Sequence, residues 1–223
     1  MRKEQVGYST LYLTDCMELM ATLPDKSIDL AIVDPPFGGI TASGEKIQQA
    51  IGGTFKKYGK NGAENWNVVP DQTYFTELFR VSKRQIICGG NYFDLPKIGG
   101  WIVWDKCVAP TYPNFSKCEL LWTSFLGHVE MTKASWSGFI GLDVARRIHP
   151  TQKPINLYKY LLRYAKQGDK ILDTHFGSGS IAVACNELGF NLTACEIDAD
   201  YFTAACNRVR EANRQGQLFR EAV

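Results

Sequence analysis

Ile171-Leu172-Asp173-Thr174-His175-Phe176-Gly177-Ser178-Gly179-Ser180-Ile181-Ala182 is the stretch that decides the fold of this 223-residue chain. A short apolar run ending in an acidic residue reads as a strand, Gly177 and Gly179 make a tight turn, and a helix follows over residues 181–188, closed by Gly189. Residues 192–195 read as the next strand, with Glu196 at its end. Glycines in such a turn let a ligand approach the backbone, and the helix start offers unpaired N–H groups. Glu196 is placed to accept hydrogen bonds from a ribose diol. Gly177-x-Gly179-x-x-Ala182 also satisfies the loose dinucleotide fingerprint, so a nicotinamide cofactor stays open at this point.

Outward from this unit the same alternation continues. Upstream, residues 156–166 have helical spacing, Gly168-Asp169 makes a turn and residues 170–172 form a strand. Residues 9–13 are extended, 15–23 helical and 28–33 a buried strand. Residues 72–81 are helical and 85–88 a strand. Two aromatic-rich runs, 101–104 and 119–125, suit antiparallel pairing. The final helix spans residues 199–213, and Arg208 and Arg210 in it, with Arg214 and Arg220 beyond it, read as a solvated face. Repeated strand–helix–strand units predict an α/β fold, a mostly parallel sheet with helices on both faces. Residues 38–70 and 127–148 read as long irregular loops, which in a compact domain are usually functional.

A second motif lies at the end of the strand over residues 28–33. Asp34-Pro35-Pro36-Phe37 stops the ladder, because proline has no N–H to donate. In an open α/β sheet ligands bind beyond the carboxyl ends of the strands, so this tetrapeptide shares a crevice with the glycine turn. Asp34 supplies an acceptor, the prolines stiffen the backbone and Phe37 offers a stacking face. That set suits a planar heterocycle bearing an amino group.

Composition narrows the function classes. The net charge is +2, with 25 Lys+Arg against 23 Asp+Glu, so any nucleic-acid contact must be local. The length suits one domain, residues 1–223, with the two irregular stretches as insertions. No apolar run is long enough to cross a membrane. The start of the chain has no signal-peptide core, so a cytoplasmic location is expected. The seven cysteines form no C-x-x-C pair and sit mostly in apolar contexts, so reduced thiols are expected and no metal site.

Together the motifs resemble the S-adenosylmethionine-dependent DNA amino-methyltransferases, which modify adenine N6 or cytosine N4. Asp34-Pro35-Pro36-Phe37 matches their catalytic D-P-P-[YF] motif. Residues 173–180 match the cofactor motif D-x-F-x-G-S-G-[ST] loosely, with Thr174 and His175-Phe176 departing from the common pattern. His149-Pro150-Thr151-Gln152-Lys153-Pro154 matches a third family motif nearly letter for letter. The catalytic motif precedes the cofactor motif, as in the circularly permuted β subgroup. Glutamine-modifying and several RNA enzymes usually carry N-P-P-Y after the cofactor motif, and this chain does neither.

The resemblance implies a Rossmann-like class I methyltransferase fold with permuted motif order, S-adenosylmethionine as cofactor, DNA as partner and a role of the restriction-modification kind. It implies Asp34, Pro35, Pro36 and Phe37 as catalytic residues. It implies Asp15, Lys153, Asp173, Phe176, Gly177, Ser178, Gly179, Ser180 and Glu196 around the cofactor, with Asp15 near the adenine and Lys153 near the methionine end. The subgroup also suggests a homodimer. Lys56 and Lys57, interleaved with Phe55, Tyr58 and Trp66, together with Arg146 and Arg147, are the DNA-contact candidates. His149 and His175 are expected to be structural. Asp34 leans the substrate toward adenine N6, because serine at that position is commoner among the cytosine enzymes. Cytosine N4 is the alternative, and a non-catalytic binding module is the alternative from a different class.

Overall fold

The computed structural model describes residues 1–37, 68–107, 116–135, 147–149 and 151–221, with side chains through residue 216. The strands are β1 (Arg2–Val6), β2 (Ser9–Leu13), β3 (Ile28–Val33), β4 (Ser82–Cys88), β5 (Gly100–Asp105), β6 (Cys118–Thr123), β7 (Val129–Lys133), β8 (Lys170–Asp173) and β9 (Asn191–Glu196). The helices are α1 (Cys16–Ala21), α2 (Gln72–Val81), α3 (Ile155–Leu161), α4 (Ser180–Leu188) and α5 (Ala199–Glu221). One sheet runs in the order β1-β2-β9-β8-β3-β4-β6-β5-β7.

From β2 to β4 every neighbouring pair is parallel. β6 is antiparallel to both β4 and β5, which is the pairing the two aromatic runs suggest. β3 is buried almost throughout, as a strand covered on both faces must be. Two apolar cores lie on opposite faces of the sheet. One packs α3, α4 and α5 through residues such as Leu157, Leu161, Ile181 and Phe202. The other packs α1 and α2 through Leu19, Met20, Phe75 and Leu78. The starts of α1 and α2 have a local cause: Asp15 and Asp71 cap them by accepting from Met17 N and Thr73 N.

Several elements differ from the sequence reading, and α5 runs to Glu221, past the expected end at residue 213. β1 lies at an edge, carries four mostly exposed polar residues, and so shows no apolar alternation. β7 falls inside the stretch expected to be irregular, residues 127–148. It is an edge strand parallel to β5, with Val129 and Met131 exposed and only Thr132 buried within it, so its pattern is weak. The helix expected over residues 156–166 is α3 followed by a 3₁₀ turn at Leu162–Tyr164. Residues 38–67 and 136–146 lie outside the described residues, and Lys56, Lys57 and Arg146 with them. No helix among the described residues is long and apolar enough to cross a membrane.

Candidate active site

The sheet order places a crevice where the chain reverses direction, between β8, whose following strand β9 lies on one side, and β3 on the other. Asp34 follows β3, Cys88 ends β4, Asp173 ends β8 and Glu196 ends β9, all at the carboxyl edge. Because β6 runs the opposite way, its start reaches that same edge and brings Glu119 with it. Lys106, one residue past the end of β5, arrives there too.

The glycine turn is held by the protein's own backbone and short polar side chains. Gly177 and Gly179 have φ of 48° and 74°. A Cβ on Gly179 would lie 3.0 Å from the Phe176 ring and 3.1 Å from Val209, so both backbone shape and space require glycine there. At Gly177 the nearest atoms, on the His149 ring, are 3.7 Å away, and only backbone shape matters. Glu196 Oε2 accepts from Gly177 N at 2.8 Å and Oε1 from Asp198 N at 3.0 Å. Ser180 Oγ donates to the Lys153 carbonyl at 2.7 Å and lies 3.1 Å from Ser178 Oγ, which ties the turn to the hexapeptide. Arg208 donates to the Ser178 carbonyl at 2.7 Å and to Ser180 Oγ at 3.0 Å, so it supports the turn instead of forming a solvated face.

Asp173 is 1% exposed and accepts from His175 N at 2.9 Å. Burial, with Asp34 and Glu196 nearby, pushes its carboxyl up to about 8. Burial holds His149 down at about 3 and His175 at about 4, so both rings are neutral at pH 7, as structural histidines are. His149 packs edge-on against Tyr201, and His175 Nδ1 lies 3.0 Å from Thr174 Oγ1. Asp15 stands beyond β2, next to the end of β9, where Thr14 N donates to the Glu196 carbonyl. Its side chain caps α1.

On the other side of the crevice the groups are charged. Lys153 Nζ lies 2.6 Å from Asp34 Oδ2 and 3.0 Å from Glu119 Oε1, and Lys106 Nζ lies 3.1 Å from Glu119 Oε2. Burial raises the Asp34 pKa, Lys153 opposes that rise and Glu119 adds to it. Burial opposes the charge on Lys153, but Asp34 and Glu119 outweigh it and raise its pKa. Burial alone would raise Glu119, yet Lys153 and Lys106 bring it below the usual carboxylate range. Among the described residues Asp34 Oδ1 is buried with no hydrogen-bond partner. Asp34, Cys88 and Glu119 place donor atoms within 4.8 Å of one another, and the ammonium groups of Lys153 and Lys106 bring positive charge to that cluster. Phe37 stacks on Tyr92 with centroids 4.8 Å apart and planes 9° from parallel, over Gly89, whose added Cβ would lie 3.0 Å from the Phe37 ring.

Lys153 turns its ammonium to Asp34 and offers its carbonyl to the turn. Arg147, expected on DNA phosphate, is 7% exposed and donates to the His149 carbonyl at 2.8 Å, so it braces the hexapeptide. Sequence reasoning does not single out Glu119, Lys106 or Tyr92. The one available signal for Glu119 is a carboxylate inside the otherwise apolar run of β6.

Comparison with known proteins places the fold. Residues 105–207 match the family model described as DNA methylase. The type II methyltransferase M.HinfI of Haemophilus influenzae is 26% identical over 95% of this chain and 71% of its own length. YubD of Escherichia coli (strain K12), named as a methylase, is 24% identical over 91% of each. Among solved structures, the cytosine-N4-specific PvuII DNA methyltransferase superposes with a TM-score of 0.59 at 13% identity, covering 96% of both chains. TTHA0409 of Thermus thermophilus, named as a DNA modification methylase and complexed with S-adenosyl-L-methionine, gives 0.53 at 18% identity, covering 91% of this chain and 95% of its own. The fold is the Rossmann-like methyltransferase fold.

Proposed function

We propose that this chain, a DNA amino-methyltransferase by resemblance of sequence and fold, transfers a methyl group from S-adenosylmethionine to the N6 amine of adenine in DNA. The observation that carries the reading is the Asp34 carboxylate. It stands at the end of β3, across the crevice from the glycine turn, with one oxygen on Lys153 and Oδ1 buried and without a partner among the described residues. A buried acceptor left open is costly, and a donor from the substrate satisfies it.

The donor set fits the cofactor. Asp15, Asp173 and Glu196 line its side of the crevice and none is in an ion pair among the described residues. A ligand with a ribose diol, an adenine amine and a cationic methionine end supplies the donors and positive charge they lack. Glu196 and Asp15 suit the adenosine end, and Gly177, Ser178, Gly179 and Ser180 shape the floor. Bound there, the cofactor supplies an electrophilic methyl group.

The exocyclic amine of adenine is a poor nucleophile, because its lone pair is delocalised into the ring. Asp34 Oδ1 and the Pro35 carbonyl accept its two N–H bonds, favour a pyramidal nitrogen and stabilise the positive charge that grows on it. The nitrogen must sit roughly 3–3.5 Å from the methyl carbon and in line with the breaking bond, so the residues act by positioning. The methylated nitrogen then sheds its extra proton to solvent. In duplex DNA the base has to leave the stack, and Phe37, backed by Tyr92, is the surface that holds it.

Cytosine N4 is the second reading, since the same acceptors fit either amine and the PvuII enzyme of this fold is cytosine-N4-specific. The test is incubation of duplex DNA with isotope-labelled cofactor and nucleoside analysis by mass spectrometry. N6-methyladenine is expected. N4-methylcytosine alone overturns the adenine assignment, and methylated RNA or protein without methylated DNA overturns the DNA reading.

A further inference from the structure

We propose that Glu119 and Lys106 are positioning residues that act together with Lys153 to set the negative charge Asp34 presents to the substrate amine. The proposal rests on the methyl-transfer reading above. Four side chains, from the ends of β3 and β5, from β6 and from the segment before α3, form one chain of alternating charge. In order they are Asp34, Lys153, Glu119 and Lys106, with contacts of 2.6, 3.0 and 3.1 Å. The side chains of Lys153, Glu119 and Lys106 are 5, 9 and 13% exposed, so water screens these charges poorly.

A lone ammonium 2.6 Å from Asp34 would neutralise the carboxylate it holds. Glu119 divides that ammonium between two partners, and Lys106 limits how far it is drawn away. The remaining groups near Asp34 add little charge at pH 7. Burial keeps the Cys88 thiol and the Tyr158 phenol protonated, and Asp173 with its pKa of about 8 is mostly neutral. Glu119 and Lys106 therefore pull on Asp34 in opposite directions: Glu119 raises its pKa and Lys106 lowers it.

The experiment measures the acidic limb of the kcat/KM–pH profile for methyl transfer, together with the Asp34 carboxyl titration by ¹³C NMR in the absence of DNA. Glu119→Gln should move both to lower pH and Lys106→Gln to higher pH, each by about one pH unit. Glu119→Asp should restore the wild-type position, and in a Lys153→Met background the Glu119→Gln shift should grow, because the ammonium between the two carboxylates is gone. Thermal melting checks that each variant folds, and Lys106→Gln with Glu119→Asp carries the test if Glu119→Gln does not. Movements of the same sign, no movement, or a Glu119→Gln shift that is lost without Lys153 overturn the proposal. If the carboxyl titration moves as stated while the wild-type protein methylates no DNA, the positioning stands and the substrate reading falls.

Discussion

The two sides of the crevice are built on different physical principles. On the β8–β9 side, a glycine turn is held by main-chain donors, two serines and the Glu196 carboxylate, with the Lys153 carbonyl and the Arg208 guanidinium as remote partners. On the β3–β4–β6 side, four charges meet from positions as far apart as 34 and 153. The first side is rigid because its conformation is covalently local. The second has the right charge only when four distant elements are all in place. Cofactor binding and methyl transfer should therefore respond to different mutations.

The largest effect expected is on Asp34. Asp34→Ala should lower the methyl-transfer rate by about 10²–10³, the scale on which one preorganised group counts in a transition state. Cofactor affinity, measured by calorimetry, should change little. A parallel loss of cofactor affinity would merge the two sides into one unit.

The converse test is on the turn. Gly179→Ala combines left-handed backbone strain with contacts of 3.0 and 3.1 Å, and should cost about 2–4 kcal/mol and most cofactor binding. Gly177→Ala meets only the strain and should cost about 1–2 kcal/mol. Thermal melting of both variants gives the ordering, and equal losses would show that packing around Phe176 is slack.

Asp173 sharpens the comparison through pH. The folded protein keeps this proton up to about 8, whereas an unfolded aspartate releases it near 3.8. The unfolded state therefore gains relative to the folded state as pH rises between those values. Stability from Asp173 is fully present below about pH 4 and is lost as pH climbs through about 8. Against an Asp173→Asn variant, cofactor-free protein should lose a few kcal/mol over that interval, because a tenfold change in proton affinity corresponds to about 1.4 kcal/mol. Melting curves from pH 4 to 9 decide this, and parallel curves would place the charge elsewhere.

The smallest effect concerns Arg147. Arg147→Ala should destabilise the fold by about 1–2 kcal/mol through its lost bond to the His149 carbonyl. The salt dependence of DNA binding should not change. A shallower salt slope would return Arg147 to the phosphate backbone.

What can be read from the sequence follows the same division. The glycine turn, Glu196 and Asp34 are legible because a strand end, a turn and a helix start lie within a few residues of each other. Glu119 and Lys106 are not, because their importance comes from an antiparallel strand that brings its beginning to the edge where its neighbours end. Arg147 and Arg208 read as surface charge because composition does not reveal that a carbonyl waits for each of them. β1 and β7 escape notice for a related reason, since an edge strand with one shielded face or none has no apolar rhythm to detect.

The position of β8 has a consequence for how the molecule assembles. β2 ends at Leu13 and β3 begins at Ile28, yet in the sheet β9 and β8 stand between them. Until residues 170–196 leave the ribosome, the N-terminal hairpin and the β3–β4 pair have no neighbour in common, and the sheet cannot close across its middle. Folding must then wait on loop closures spanning most of the chain, which slows it. Any truncation before β8 leaves two open sheet edges exposed at the centre of the protein.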